Sequence, residues 1–348
     1  MKKFELGITT FAEVMKDPVT GYKPTYDERI RQVLDEIKLA DEVGLDFFGI
    51  GEHHRSDYAA SAPHMMLAAA ASITKHIKLG SAVTVLSSED PVRVYQNFAT
   101  LNALSKGRAE IMAGRGSFIE SFPLFGYNLK DYDLLFSEKL DLLVKIRDEE
   151  RVSFSGNTRA PLNDIGIYPR TDHLTISVAV GGTPESVVRA AEYGLPLFLA
   201  IIGGTPRAFK GLVNLYDKVY QASGHDLANR FVSVHSHGYI AETYEEAFET
   251  YYPSMEQAMN TIGKERGWPR YTKASYEAAN GKEGALFVGD PLYVAEKILH
   301  LRKTLGIDRF ALHVPVGPLS HDKVLRAIEL FGKKVKPIIE EAIKKESI

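Results

Sequence analysis

Eight short apolar segments, each compatible with a β-strand, alternate with stretches of helical periodicity along the 348-residue chain. Alternating strands and helices predict a parallel sheet, and eight strands are the number that closes a TIM (β/α)8 barrel. We therefore predict an α/β fold built as one barrel domain over residues 1–348, and an open doubly wound sheet is the alternative. The eight segments are residues 4–10, 46–51, 77–85, 108–114, 174–180, 195–201, 230–241 and 308–314.

Two segments interrupt this alternation. Residues 150–173 have the pattern of a surface hairpin before the fifth strand. Residues 264–287 form a long insertion after the seventh strand, rich in aromatic and glycine residues. Long connections within a compact domain are commonly functional lids. We therefore predict a lid at residues 264–287, above the end of the barrel where catalytic loops lie.

The composition excludes several classes of function. With 42 basic and 45 acidic residues the net charge is −3, which gives no reason to expect binding to nucleic acid or to an acidic membrane surface. No segment approaches the roughly 20 apolar residues of a membrane span. The absence of cysteine excludes disulfides and zinc–thiolate sites. We expect a cytoplasmic enzyme.

The tetrapeptide Gly-Gly-Thr-Pro occurs twice, at residues 181–184 and 203–206, each time between a predicted strand and a predicted helix. The glycines permit a sharp turn, threonine can cap a helix, and proline suits the first helical position. A helix N-terminus can also bind an anion. The first copy adds Gly182, Thr183 and Ser186 to its opening turn, which makes it the candidate phosphate site, although both copies could be ordinary capped helices.

Arg115 lies between two glycines at the end of the fourth predicted strand. Glycine permits close approach of a ligand, and an arginine beside helix N–H groups is a good phosphate clamp. Arg115 is therefore a second candidate phosphate contact. A salt bridge on the barrel rim is the alternative.

The most polar strand end is the segment Gly-Glu-His-His-Arg-Ser-Asp at residues 51–57. Histidine can serve as a general acid or base near neutral pH. Adjacent side chains on an extended segment point in opposite directions, so one of the two histidines is expected to face a pocket.

A metal site would need at least three converging ligands. His64 and Glu89 could join the histidines of residues 51–57, but nothing in the spacing requires this, and we predict no metal. His235 and His237 share one face of the seventh strand. We interpret them as hydrogen-bonded residues of the barrel interior.

The ordered set of these motifs resembles the family of bacterial luciferase-like, flavin-dependent monooxygenases. The resemblance runs from about residue 4 to residue 340 in one consistent order. Its strongest parts are Glu-His-His after the second strand, residues 79–108 with their Asp-Pro-x-Arg helix start and their final Leu-Ser-x-Gly-Arg, residues 113–117, 192–196 and 216–227, and Val-Gly-Asp-Pro at 288–291.

The resemblance implies a barrel that binds reduced flavin mononucleotide (FMN), supplied by a separate NAD(P)H-dependent flavin reductase. It further implies that molecular oxygen oxidises a small organic substrate through a flavin hydroperoxide. His53 corresponds to the catalytic histidine of the family. A non-prolyl cis peptide below the flavin ring corresponds to Ala82–Val83. The phosphate contacts correspond to Arg115, Gly182, Thr183 and Ser186.

Two other functions fit the same scaffold, namely a deazaflavin-dependent oxidoreductase and a non-catalytic flavin-binding protein. Light emission is not implied, because Gly114 replaces the cysteine that precedes the arginine in luciferase. The helices after the second and third strands are rich in small apolar residues, and we expect them to form the interface of a homodimer.

Overall fold

The computed structural model describes residues 2–116 and 118–346, in which eight parallel strands close into a barrel. Each strand pairs with the next, and the last pairs with the first. This confirms the predicted TIM barrel, and each predicted segment contains one barrel strand. The strands are β1 (Glu5–Thr10), β2 (Phe47–Ile50), β3 (Lys78–Ser81), β4 (Ala109–Gly114), β5 (Thr175–Val180), β6 (Leu197–Ala200), β7 (Val232–Ile240) and β8 (Arg309–His313).

The longer helices begin where the sequence supplies capping residues. Thr25 and Glu28 form a capping box at the first helix, and Asp90 caps the third helix ahead of Pro91. In the part of the chain that the structure describes, no helix is both long and apolar enough to cross a bilayer. The longer helices are α1 (Tyr26–Glu42), α2 (Pro63–Ile73), α3 (Pro91–Ser105), α4 (Tyr132–Asp148), α5 (Pro184–Glu192), α6 (Lys210–Ala222), α7 (Tyr244–Arg266), α8 (Lys273–Asn280), α9 (Pro291–Leu305), α10 (His321–Leu330) and α11 (Lys336–Glu346).

Shorter elements fill the connections between the barrel strands and helices. A two-residue strand at Thr84–Val85 extends the edge of β4, and Phe287–Gly289 pairs with β7. The remaining short elements are the helical turns Ser121–Leu124, Leu129–Asp131, Pro206–Phe209 and Leu227–Asn229 and the π-helical turn Phe331–Val335, which joins α10 to α11.

The two segments that interrupt the alternation both contain regular structure. Strands Arg151–Phe154 and Leu162–Gly166 pair antiparallel within the segment 150–173. The segment 264–287 includes the end of α7, all of α8 and the start of a strand, so it is not one open loop. Helix α8 forms because Thr272 caps it and Tyr276 is buried against Phe248 at a ring-centroid distance of 4.7 Å.

The middle of the barrel is filled by the ring of Phe47 on β2. A Cβ atom on Gly7, Gly49 or Gly80 would lie 2.7 to 2.9 Å from a side-chain atom of Phe47, so these three interior positions admit only glycine while the ring stays in place. Other members of this interior apolar layer include Met112. The larger core lies between the barrel and its helices.

Charged residues close the N-terminal end of the barrel. The buried Arg309 guanidinium bonds to both carboxylate oxygens of Glu110, at 2.7 and 2.9 Å, and to Glu5 at 2.8 Å. It lies 4.4 Å from the centroid of the Phe47 ring. Burial alone would lower the pKa of Arg309, but the two carboxylates outweigh it and the pKa is raised. The open end of the barrel is therefore the opposite one, where the strands finish.

Candidate functional site

His53 lies just beyond the end of β2, inside a group of aromatic rings. Its ring stacks on Phe11 at 4.3 Å and meets Tyr58 and Phe118 edge-on at 4.5 and 5.2 Å. The Nδ1 atom contacts the backbone carbonyl of Glu52. The Nε2 atom is buried and has no hydrogen-bond partner within residues 2–116 and 118–346. A buried, unpaired imidazole nitrogen is rare in a native fold and points to a ligand.

The environment of His53 keeps its imidazole neutral. Burial lowers the pKa of His53 from 6.5 to about 4, and the bond to the Glu52 carbonyl only partly opposes this effect. The cavity beside the ring measures about 10 Å³ and is lined by Phe118 and Ser121 among others. Phe118 therefore lines the small space beside His53.

The neighbouring histidine has a different environment. His54 Nε2 lies 2.8 Å from Glu52 Oε1, and Glu52 Oε2 accepts a hydrogen bond from the backbone N–H of Val85 at 2.8 Å. Only His53 belongs to the aromatic group, as the alternation of side chains along an extended segment predicts. The pair of His54 and Glu52 braces the chain that follows β3.

The peptide bond between Ala82 and Val83 is cis, which confirms the geometry that the family resemblance implies. Ala82 belongs to the interior apolar layer with Met112 and Phe198. The carbonyl of Val83 accepts a hydrogen bond from the backbone N–H of Glu52 at 3.0 Å. This peptide therefore lies at the C-terminal end of the barrel, beside the loop that carries His53.

Arg115 and Thr183 are 68 residues apart in the chain and in contact in the fold. Arg115 Nη2 donates a hydrogen bond to Thr183 Oγ1 at 3.0 Å. Arg115 Nη1 lies 2.8 Å from Asp133 Oδ1, and the guanidinium carbon is 5.1 Å from the centroid of the Tyr132 ring. The two candidate phosphate contacts are thus brought together. The rim salt bridge that we considered as the alternative is present as well, to an exposed aspartate.

The first Gly-Gly-Thr-Pro turn leads into α5, with Gly182 at φ +140°, a conformation that favours glycine. Thr183 occupies the N-cap position, but its side chain makes no capping hydrogen bond. The expected threonine cap is therefore wrong here, because the hydroxyl accepts from Arg115 instead. Ser186 is buried in the first turn, and its backbone N–H donates to the carbonyl of Thr183 at 3.2 Å.

The second Gly-Gly-Thr-Pro turn differs from the first. It opens the short 3₁₀ helix Pro206–Phe209, and Thr205 at its N-cap also makes no side-chain capping bond. The cap expected at Thr205 is therefore wrong too. With no arginine bonded to Thr205, this turn lacks the pairing that distinguishes the first copy.

A buried polar network inside the barrel was not predicted from the sequence. Thr9 Oγ1 lies 2.9 Å from His235 Nδ1 and 3.1 Å from His313 Nδ1, and His313 Nε2 lies 3.2 Å from Glu13 Oε1. His235 is thus a hydrogen-bonded interior residue, as interpreted, whereas His237 Nδ1 is buried without a partner. Glu13 follows β1, and His313 is the last residue of β8. A search of the polar residues at the ends of the first and eighth strands would have found both.

Within residues 2–116 and 118–346, no group of three or more histidine, aspartate or glutamate side chains could hold a metal ion. His64 is half-buried, and burial lowers its pKa. Glu89 is half-buried, and burial raises its pKa.

Residues 4–309 match the family model of the luciferase-like monooxygenases. The N-acetyl-S-alkylcysteine monooxygenase of Bacillus subtilis is 24% identical over 319 residues, which cover 87% of this chain and 92% of that protein. The alkanal monooxygenase alpha chain of Photobacterium leiognathi is 25% identical over 328 residues, which cover 87% of this chain and 91% of that protein.

Three solved structures share the fold. Monooxygenase RslO1 from Streptomyces bottropensis has a TM-score of 0.84 at 22% identity and covers 96% of this chain and 99% of its own. The oxygenating constituent of 3,6-diketocamphane monooxygenase from Pseudomonas putida, in complex with FMN, has a TM-score of 0.77 at 20% identity, with 97% and 98% covered. The coenzyme F420-dependent tetrahydromethanopterin reductase from Methanopyrus kandleri has a TM-score of 0.72 at 21% identity, with 97% and 99% covered. Because the family match spans residues 4–309, this chain is an oxidoreductase that belongs to the luciferase-like monooxygenase family.

Proposed function

We propose that this protein is a monooxygenase that uses reduced FMN and molecular oxygen to oxidise a small organic substrate. The observation that carries the proposal is the bond between Arg115 and Thr183 at the start of α5, on the same end of the barrel as the unpaired Nε2 of His53. The Arg115–Thr183 pair suits a phosphate, and His53 suits a reacting group. The Ala82–Val83 peptide lies between them.

The residues at the start of α5 have the chemistry that a phosphate requires. The Arg115 guanidinium supplies charge and several N–H donors, Thr183 supplies a hydroxyl, and the helix N-terminus supplies backbone N–H groups and a favourable dipole. An added Cβ atom at Gly182 would meet no atom within 4 Å, so the turn is open on that side. Ser186 completes the set that we propose for the phosphate.

The flavin ring would lie against the apolar interior layer that contains Ala82 and Met112, with Val83 beside it. Bound FMN in its reduced form would supply the two electrons needed to transfer one oxygen atom of O₂ to the substrate. His53 Nε2 would move a proton at the reacting atoms, since the imidazole is neutral and its Nε2 has no partner among the residues that the structure describes. The rings of Phe11 and Phe118 would exclude water.

The proposal includes a separate flavin reductase that delivers reduced FMN, and a homodimer through the helices after β2 and β3. The FMN-bound relative from Pseudomonas putida is described as the oxygenating constituent of its enzyme, which supports a division of labour between proteins. Met65, Ile73 and Leu104 on α2 and α3 are large apolar residues with 46% to 65% of their surface exposed, which supports an interface there.

A deazaflavin-dependent oxidoreductase is the second candidate. This chain shares its fold with the F420-dependent reductase at a TM-score of 0.72 over 97% of its length, and this likeness supports the second candidate. Such an enzyme would transfer hydride without oxygen. The proposed phosphate contacts at Arg115 and Thr183 suit either coenzyme, because both carry phosphate.

Anaerobic titration distinguishes these candidates. The purified protein is titrated with reduced FMN and, in parallel, with reduced F420, and each complex is then mixed rapidly with oxygenated buffer. Tight binding of reduced FMN and an oxygen reaction faster than that of free reduced FMN support the monooxygenase. Binding of F420 alone supports the hydride-transfer enzyme. Binding of FMN without any change in its oxygen reaction supports a flavin-binding protein.

A further inference from the structure

Four buried polar side chains form a continuous hydrogen-bonded row through the wall of the barrel. The row runs from Glu13 to His313, then to Thr9, and then to His235, with donor–acceptor distances of 3.2, 3.1 and 2.9 Å. The four side chains are between 0% and 5% exposed. Glu13 and His235 are therefore connected by a buried chain of side chains, each of which can carry an exchangeable proton.

When both histidines are neutral, a carboxylate at one end sets the direction of every hydrogen bond in the row. An ionised carboxylate can only accept, so a neutral His313 bonded to it carries its proton on Nε2 and leaves Nδ1 bare. Thr9 then donates its hydroxyl proton to His313 Nδ1, and its oxygen accepts from Nδ1–H of His235. His235 Nε2 is consequently unprotonated. Thr10 also donates a hydrogen bond to Glu13, at 3.2 Å.

The outer end of the row meets a cavity. Glu13 lines this cavity of about 140 Å³ together with the buried ion pair of Arg29 and Glu36. Exposed residues, among them Thr20 and Tyr22, form part of its wall. A cavity of this volume with charged groups in its wall has room for several water molecules. Through such water Glu13 would exchange a proton at this end.

The inner end of the row faces the proposed reaction site. His235 projects into the barrel from β7, and its ring lies 5.8 Å from that of Phe198, which belongs to the same interior layer as Ala82. Burial lowers the pKa of His235 well below 6.5, which disfavours retention of an added proton there.

We propose that Glu13, His313, Thr9 and His235 form a proton-transfer path from the barrel interior to the cavity beside Glu13. A proton binds His235 Nε2 while Nδ1–H passes to the Thr9 oxygen, the Thr9 hydroxyl proton passes to His313 Nδ1, and Nε2–H of His313 passes to Glu13. One N–H or O–H bond forms for each that breaks, and one proton leaves from Glu13 to water.

The path would release protons from the barrel interior, which the surroundings of His53 do not allow. His53 is enclosed by Phe11, Tyr58 and Phe118, and among the described residues its Nε2 contacts no polar group that could relay a proton. The role in turnover rests on the proposed function, because oxidation of bound flavin exchanges protons with the site. The structure of the row itself does not depend on the proposed function.

The first test needs no cofactor. Nitrogen-15 spectra of histidine side chains in the unloaded protein report which ring nitrogen carries the proton. We expect His313 as the Nε2–H form and His235 as the Nδ1–H form, with Thr9→Val releasing His235 from that form and Thr74→Val, at a buried threonine away from the row, leaving it unchanged. His235 as the Nε2–H form in the wild-type protein would overturn the path.

The second test measures oxidation of bound reduced FMN after rapid mixing with oxygenated buffer. Thr9→Val should slow it about tenfold or more, within the range of lost acid–base catalysis. Thr9→Ser restores the hydroxyl and should remain within about twofold of wild type. Thr74→Val, the matched control, removes a buried hydroxyl away from the row and should also remain within about twofold. Equal rates for Thr9→Val and Thr74→Val would overturn the path.

Chemical rescue tests the outer end. Glu13→Ala should slow the same reaction about tenfold, and formate, which fits beside the cavity, should restore at least half of the rate. Formate should not restore the rate of the Thr9→Val variant, because that variant interrupts the hydrogen-bonded row farther inside the barrel. A Glu13→Ala defect that formate leaves unchanged contradicts the path. If the protein does not bind reduced FMN, the proposed function fails, while the histidine spectra still decide whether the row has the required direction.

Discussion

Arg55 and Glu265 form a bidentate ion pair, with Nη2 to Oε1 at 2.6 Å and Nη1 to Oε2 at 2.8 Å. The pair joins the loop after β2 to the last turn of α7. Arg55 also bonds to Glu120 at 2.6 Å and lies 4.6 Å from the centroid of the Phe118 ring. Phe118 packs edge-on against His53, so Arg55 connects the start of segment 264–287 to a ring of the proposed reaction site.

We expect Glu265→Gln to speed the exchange of bound FMN several-fold while changing stability little. Glu265 is 46% exposed, and a pair of this exposure contributes less than about 1 kcal/mol to the free energy of unfolding. Stopped-flow release of FMN measures the exchange. Glu249 lies on the same helix as Glu265 and forms an exposed ion pair with Lys273 of α8. Glu249→Gln breaks that pair, serves as the control and should leave the release of FMN unchanged. Equal release rates for both variants would rule out a gating role for the Arg55 pair.

His53→Ala should preserve FMN affinity but lower turnover at least about tenfold, as expected for a lost general acid or base. His54→Ala is the matched control. This variant removes the imidazole that bonds to the Glu52 carboxylate and keeps the imidazole of His53. It should change turnover less than about threefold. The measurements are the equilibrium titration with FMN and the steady-state rate. Wild-type turnover in His53→Ala would exclude the proposed role.

Arg115→Ala should weaken FMN binding by about one to two orders of magnitude, because a charged hydrogen bond contributes about 1.5–3 kcal/mol. Riboflavin lacks the phosphate, so its affinity should not change in this variant. Asp133→Asn removes the exposed carboxylate that shares Arg115, and FMN should bind it as tightly as wild type or more tightly. Parallel loss of riboflavin and FMN affinity would place the phosphate away from Arg115.

Stability should fall as the pH decreases below 6.5. Burial lowers the folded-state pKa of His53 to about 4 and that of His237 to about 3, so below pH 6.5 the unfolded chain binds protons that the folded protein does not. Each such histidine adds a slope of up to about 1.4 kcal/mol per pH unit. Urea unfolding between pH 7 and pH 4.5 measures the slope.

His237→Leu provides the check on this pH dependence. The variant should show a slope smaller by about one proton, because the unfolded chain then has one histidine fewer to protonate. His76→Leu, which removes an exposed histidine instead of a buried one, is the control and should keep the wild-type slope. An unchanged slope in His237→Leu would mean that His237 is already protonated in the folded protein.

The sequence predicts the barrel well because each strand is a short apolar run that is buried on its outer face, and such runs leave a local pattern. It predicts the turn at Gly182 for the same reason, since glycine is required there. It did not predict that Thr183 would bond to Arg115 instead of capping α5, because 68 residues separate the two. Glu13 and His313 are 300 residues apart, and a contact of that kind leaves no periodicity to detect.

The closed floor of the barrel also determines how molecules must pass through it. Arg309 with Glu5 and Glu110 blocks the lower end, and Phe47 fills the layer above. Among the described residues, these groups leave a ligand no passage through this end of the barrel. If two molecules bind inside from the opposite end, the one that lies deeper is therefore expected to arrive first and depart last, so the closed floor would set an order of binding.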